Sequence, residues 1–311
     1  MKRKKEKYEN YAIKWLIDKK TYVKESTYAN YSYIVYNYLI PNLGNYKLNE
    51  LNNKLIQNLI IKFHENNLSN KTIKDIIMVL KSSLNRAFNE NIIKKFSLNF
   101  SYPNNINIKS LYVLSKNEQY ILMEYALNGI DEKNLGILIS LFCGLRIGEV
   151  CALQWKDIDF ENRMIHITKT LQRIFIKEKN KTTSKIIITS PKTLKANRDI
   201  PITKVLFEKL KKMKNKNDYY ILTGNLNYIE PRVYRSYFSK VLKSLDIAHF
   251  KYHCLRHTFA SNCISLGTDY KTVSELLGHS NISLTLNLYV HPSVQDKIKC
   301  VDLLAKNMMY K

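Results

Sequence analysis

The sequence is short of several things, and each shortage removes a class of function. Its longest apolar run, residues 135–145, falls well below the roughly 18 residues of a membrane span, and Arg146 closes it. The opening MKRKKEKYENYAIKW is basic with no apolar run behind it, so it does not read as a secretory signal. None of the glycine loops that cradle nucleotide phosphates is present. The 5 cysteines, Cys143, Cys151, Cys254, Cys263 and Cys300, are odd in number, widely spaced and set in apolar contexts. They suit reduced packing residues in a cytoplasmic protein rather than a disulfide framework. No C-x-x-C pair, HExxH sequence or carboxylate cluster occurs, and there is no internal repeat or low-complexity tract.

Acidic residues are scarce too. Lys and Arg number 50 against 26 for Asp and Glu, giving a net charge of +24 and a pI near 9.6. Such a balance points to a polyanionic partner, most often nucleic acid. An AT-rich coding bias would enrich Glu along with Lys, so it does not account for the excess. With 311 residues, 45% hydrophobic and 11% aromatic, the chain has material for two folded domains.

Periodicity divides it. A helix is expected over 8–19, with Tyr8, Tyr11, Ala12, Trp15 and Leu16 in one stripe. A second opens at Ser26 or Thr27, carries Tyr28, Tyr31, Val35, Tyr38 and Leu39, and is ended by Pro41 and Gly44. A third covers 53–66. Ser69 caps a fourth, in which Ile73, Ile76, Ile77, Leu80, Leu84 and Phe88 form the apolar face and Lys71, Lys74 and Lys81 stand opposite. Residues 1–95 therefore predict an all-α bundle whose lysine face contacts phosphates. Residues 96–110 lose periodicity and read as a linker to a second domain over 111–311.

In that second domain Ser115 and Glu118 form a capping box for a helix to Asn128, and 133–143 is a buried helix broken at Gly144. Arg146 and Glu149 share one face of a short helix while Val150 and Leu153 turn inward. Segments 163–170, 172–177 and 185–189 alternate and predict one small antiparallel sheet with Lys192 at its tip. Helices open at Pro201 and Thr203, to about Met213, and at Pro231, to about Leu245. The tail, 295–311, puts Ile298, Val301, Leu304 and Ala305 on one side, an apolar face that needs a groove in its own subunit or a neighbour.

The densest chemistry lies at 252–292, YHCLRHTFASNCISLGTDYKTVSELLGHSNISLTLNLYVHP. At 100° per residue, His253, Arg256 and His257 point one way while Leu255, Phe259 and Leu266 point another. His279 follows a glycine, and Tyr289 comes ten residues later. His253 and His257 at i and i+4 beside Cys254 raise a zinc reading, but the remaining ligands are missing. Arg146 with Glu149 also suits an ordinary surface ion pair.

The order HCLRH, LGHS, Tyr resembles the C-terminal signature of the tyrosine recombinases, the phage-integrase family. GLRIGEVCAL at 144–153 matches that family's first arginine box, and SPKTLKANRDIPI at 190–202 its lysine hairpin. The resemblance runs from about residue 115 to the end and is weaker before it. It implies a mainly α protein with a small antiparallel sheet, a SAM-like helical core-binding domain followed by a catalytic domain. It further implies cleavage and rejoining of double-stranded DNA through a 3′-phosphotyrosyl intermediate, with no metal or other cofactor.

Tyr289 would be the nucleophile and Arg146 and Arg256 the guanidinium forks on the phosphate. Lys192 would protonate the 5′ oxygen, with Lys195 and Arg198 as rivals in the same hairpin. His253 would assist proton transfer, His279 would donate to a phosphate oxygen, and Glu149 and His257 would support the site. The chemistry is coherent: a phenol of pKa about 10 attacks only where cations favour the phenolate, and its phosphate ester conserves the energy of the broken bond.

The resemblance also implies a homotetramer on two DNA sites, strand exchange through a Holliday junction, and accessory DNA-bending or directionality factors as partners. Integration and excision of a mobile element is the first role expected. Xer-like chromosome-dimer resolution or DNA inversion is the second. A type IB topoisomerase and a DNA-binding regulator without catalysis are the remaining alternatives. The chain begins at the bundle, with no arm-site domain ahead of it, which weakens the expectation of phage-type directional control.

Overall fold

The computed structural model describes residues 6–94, 98–103, 112–179, 181–190, 197–279 and 281–283, with isolated positions at 298, 301, 302, 304, 305 and 308. The chain forms two units, Met1–Lys109 with Arg173–Ile186, and Ser110–Gln172 with Ile187–Lys311.

In the first unit, α1 (Tyr8–Tyr22), α2 (Glu25–Ile34), α3 (Ile40–Leu43), α4 (Asn53–Glu65) and α5 (Asn70–Asn89) enclose one apolar core. The side chains of Asn52 and Ser69 cap α4 and α5, accepting from Leu55 N at 3.0 Å and Thr72 N at 3.1 Å. Each cap satisfies an amide that the helix itself leaves unbonded. Pro41 does not end the second helix as the sequence suggests. A π-helical turn, Val35–Leu39, widens the backbone ahead of it, and α3 then carries the proline in its first turn, where no N–H is needed.

Residues 98–103 of the expected linker are packed. Leu98, Phe100 and Tyr102 lie against the bundle core, and Gln57 exchanges hydrogen bonds with the Ser101 backbone at 2.9 and 3.1 Å. Its ring faces are used as well: Lys74 Nζ stands 5.3 Å from the Tyr102 centroid and Lys81 Nζ 5.2 Å from that of Phe100. Lys71 and Lys74 are exposed and Lys81 is half-buried beneath its aromatic neighbour.

The predicted single sheet is two. β3 (Thr170–Lys177) pairs with β4 (Thr182–Thr189), and most of this ribbon belongs to the first unit. Ile176 packs on the bundle core, Lys177 N donates to Ser32 Oγ at 3.2 Å, and Lys179 and Lys185 pair with Glu9 and Glu25. In the second unit β2 (Met164–Ile167) lies antiparallel between β1 (Ile158–Asp159) and β5 (Arg198–Pro201), with Ile165 opposite both Ile158 and Ile200. Lys192, expected at the tip of that single sheet, lies outside the described residues.

Around the second sheet stand α6 (Lys116–Asn128), α7 (Lys133–Cys143), α8 (Ile147–Ala152), α9 (Lys204–Met213), α10 (Pro231–Ser244), α11 (His253–Ser265) and α12 (Tyr270–Leu277). The Ser115–Glu118 capping box opens α6 as read from the sequence. Leu135, Ile137, Leu138 and Ile139 of α7 are fully buried, so this helix is apolar all round because it runs through the core. Tyr252 at the entry to α11 donates to Gly136 O at 2.7 Å and accepts from Ser140 Oγ at 2.7 Å, pinning α11 to α7. Leu266 lies one residue past α11 and is exposed, so it leaves the face it was expected to share with Leu255 and Phe259. In the tail, Ile298, Val301, Leu304 and Met308 are helical and exposed. Among the described residues no helix is long and apolar enough to cross a membrane.

Candidate active site

Everything in the site converges on the C-terminal end of α12. Asp269 caps its start, accepting from Thr272 N at 2.9 Å, and Gly278 ends it in the left-handed region at φ 63°. His279 N then reaches back to Ser274 O at 3.0 Å, closing the wide turn that presents His279. A helix end exposes carbonyls without amide partners and carries partial negative charge. Here three consecutive carbonyls meet three guanidiniums: Arg198 Nε donates to Leu276 O at 2.7 Å, Arg256 Nη2 to Leu277 O at 2.6 Å, and Arg146 Nη2 to Gly278 O at 3.4 Å.

Each arginine comes from a different element. Arg146 is the N-cap of α8, two residues after the left-handed Gly144 that ends α7. A side chain at 144 would strike the Phe259 ring, with Cδ1 2.4 Å from the added carbon, so glycine there lets α7 end against α11. Arg256, on α11, also donates from Nη1 to Gly144 O at 2.9 Å. It is buried, as is His257, so two of the three residues on the face of α11 expected to meet substrate are shielded from solvent. His253 remains exposed, its ring 4.5 Å from that of His257. Arg198 opens β5.

Glu149 ties two of the three together. Its carboxylate accepts from Arg146 N at 2.9 Å and Nη1 at 2.8 Å, and from Arg198 Nη2 at 2.9 Å and Nη1 at 3.2 Å. The surface ion pair suggested by the R-x-x-E spacing is thus a different object: Glu149 is 4% exposed in its side chain, Arg198 6% and Arg146 38%. Burial alone would raise the Glu149 pKa, but the Arg198 bonds and charge, with Arg146 and Arg256 behind them, bring it down to about 2. It stays ionised and takes no proton.

Three guanidiniums against one carboxylate leave an excess of two positive charges, and the histidines respond to it. Enclosure by the protein, then Arg256, Arg146 and Arg198, push His279 down to about 4. His253, although one side of its ring reaches solvent, is lowered to about 4 by desolvation against its neighbours first, then by His257 and the Arg256 and Arg146 charges. His257 is lowered by burial and Arg256. At neutral pH all three are neutral imidazoles, able to donate from one nitrogen and accept at the other. Among the described residues no cluster of three or more His, Cys, Asp or Glu could hold a metal ion. The surrounding guanidiniums suit an anion instead.

Of the residues singled out in sequence, Arg146, Glu149, His253, Arg256, His257 and His279 come together here. Lys192, Lys195 and Tyr289 lie outside the described residues. Lys71, Lys74 and Lys81 are on α5 in the other unit. Arg198 was read as a rival proton donor; its bonds to Glu149 and Leu276 O commit it to the framework. Its burial has no local signal, since an arginine at a strand start is ordinarily exposed. The motif-bearing stretch 252–292 holds two helices, α11 and α12, where its motifs alone mark no break. The Asp269 cap and Gly278 stop, eight residues of helix apart, are the signals that mark α12.

The profile described as Phage integrase family matches residues 112–296, and the one described as Phage integrase, N-terminal SAM-like domain, matches 7–64. The chain is 30% identical over 305 residues to a tyrosine recombinase XerC-like protein of Caldanaerobacter subterraneus subsp. tengcongensis, covering 90% of this chain and 78% of that one. It is 29% identical over 256 residues to the transposase from transposon Tn916 of Enterococcus faecalis, covering 74% of this chain and 61% of the relative. In fold it is similar to the Tn1549 transposon integrase in complex with transposon right-end DNA, with a TM-score of 0.80 at 22% identity over 96% of this chain and 99% of that one.

Proposed function

The chain belongs to the phage integrase family of tyrosine recombinases, and from that membership and the site's charge we propose the following division of labour in cleaving and rejoining DNA. A scissile phosphate sits against the end of α12. Arg146, the guanidinium most open to solvent, and Arg256 beneath it draw charge off the non-bridging oxygens, and His279 donates a hydrogen bond to one of them. Tyr289 attacks the phosphorus; its oxygen forms the new ester bond while the bond to the 5′ oxygen breaks and that oxygen takes a proton from Lys192. His253 accepts the phenol proton, a role that needs the neutral imidazole favoured by the nearby charges. Glu149 and His257 hold the arginines and His253 in place. The departing 5′ hydroxyl, or that of a second duplex, later attacks the phosphotyrosyl ester and releases the enzyme, so neither nucleotide nor metal is required.

The observation that carries this reading is the capture of three consecutive carbonyls by three guanidiniums around His279. It builds a rigid cationic pocket from four separate stretches of the chain. The role is integration and excision of a mobile element, supported by the likeness to the Tn916 transposase. The likeness to a XerC-like recombinase favours chromosome-dimer resolution as the second reading. The exposed Ile298, Val301, Leu304 and Met308 suit a tail helix seated on a neighbouring copy, as in a homotetramer on two DNA sites. The working compartment is the cytoplasm. Incubation with a nicked duplex carrying the element's ends should leave a denaturant-stable protein–DNA adduct. Its absence with the native protein under all substrate ends tested would reject the assignment.

A further inference from the structure

We propose that Arg198 is a positioning residue of the cleavage reaction, one that acts through Arg146 and His279 without touching DNA. This rests on the reading of the pocket given above.

Arg198 makes the contacts such a role requires. Its guanidinium lies between Glu149 and the end of α12: two nitrogens face the two carboxylate oxygens, and Nε takes the Leu276 carbonyl. Glu149 in turn holds both the backbone amide and Nη1 of Arg146. Arg198 therefore couples the element that aims Arg146 to the element that presents His279. The fit is close, because a side-chain carbon added at Gly278 would stand 3.0 Å from Arg198 Cδ and Nη1. A planar fork can satisfy a carboxylate end-on and a carbonyl from its side at once; an ammonium supplies the charge without that geometry.

A purely structural role would move stability alone, whereas a positioning role moves the chemical step at unchanged DNA affinity. The experiment is single-turnover adduct formation on a nicked duplex, with DNA affinity from gel shift and folding from circular dichroism at the assay temperature. Arg198→Gln should form adduct about 100-fold more slowly, the scale expected when reacting groups shift by about an ångström. Its DNA affinity should stay within about threefold of native, since it removes no phosphate contact. Should Arg198→Gln not fold, Arg198→Lys is read in its place and should show a defect of about tenfold or more, charge alone being insufficient. A folded variant with a native rate, or a rate loss matched by an equal loss of affinity, overturns the proposal. Tyr289→Phe run alongside separates the two readings. An adduct that survives it rejects the pocket assignment; an adduct lost there but formed at native rate by the Arg198 variant rejects the positioning role alone.

Discussion

Arg256 donates from Nη2 to the Leu277 carbonyl at 2.6 Å and from Nη1 to the Gly144 carbonyl at 2.9 Å. One buried side chain therefore ties together the ends of two helices that are more than a hundred residues apart in sequence. The consequence is that Arg256 is a structural residue before any DNA arrives, and its loss should be felt twice.

Arg256→Lys keeps the charge but cannot reach both carbonyls, leaving a buried acceptor at a cost of about 1–3 kcal/mol. The melting temperature of the variant should fall by about 2–8 °C. Adduct formation should fall by about 100-fold, the usual scale for removing an oriented donor from a charged transition state. A native melting temperature would show that the carbonyl bonds carry no stability.

Gly278 and Gly267 offer a controlled pair. Both have positive φ, 63° and 85°, so alanine at either is strained by about 1 kcal/mol or more. At 267 nothing lies within 4 Å of the added carbon, whereas at 278 it meets the Arg198 side chain at 3.0 Å. Gly278→Ala should therefore lower the urea midpoint more than Gly267→Ala does, and only Gly278→Ala should slow cleavage. Equal effects on both measurements would dissociate Gly278 from the Arg198 contact.

The histidines set a pH dependence whose sign is fixed by the direction of their shifts. His279 is held at about 4, below the free imidazole value of about 6.5, so between those limits the unfolded chain binds protons that the folded one refuses. Its contribution to stability is complete above about pH 6.5 and is lost as pH falls toward 4. The urea midpoint should decline from pH 7 to 5.5, before carboxylates titrate, and His279→Gln should make that decline shallower, with His253 and His257 contributing the remainder. A midpoint unchanged over this window in the native protein would count against a neutral His279.

On α5, Lys74 and Lys81 rest over the rings of Tyr102 and Phe100 and line one rim of a shallow groove with Met78 and Asn85. Changing both to Ala should weaken DNA binding and reduce the slope of log affinity against log salt by about one per lost phosphate contact. An unchanged slope would return this face to solvent.

How much of this was legible beforehand follows the range of the interactions involved. The Ser69 cap, the Ser115–Glu118 box, the buried α7 and the Gly144 stop are written within a few residues and were read correctly. Pro41 was misread because a π-turn absorbs it, an adjustment that depends on packing rather than on the proline. The sheet was misassigned because β2 pairs with β5, more than thirty residues on, and register between distant strands is set by the core they share. In the site, the residue types of Arg146, Arg256 and His279 were visible as motifs. What could not be read was that Glu149 faces inward and that Arg198 joins it, since the burial of a charged pair is decided by elements from several parts of the chain.

The central claim, that an ordinary phenol held among these guanidiniums carries the broken strand, is tested most directly by mapping the adduct. Trapped protein from the nicked duplex, digested with protease and sequenced by mass spectrometry, should carry its nucleotide on Tyr289, joined through a 3′ phosphate, and Tyr289→Phe should leave no adduct while still shifting DNA in a gel. A nucleotide found on another residue, or attached through a 5′ phosphate, would contradict the account.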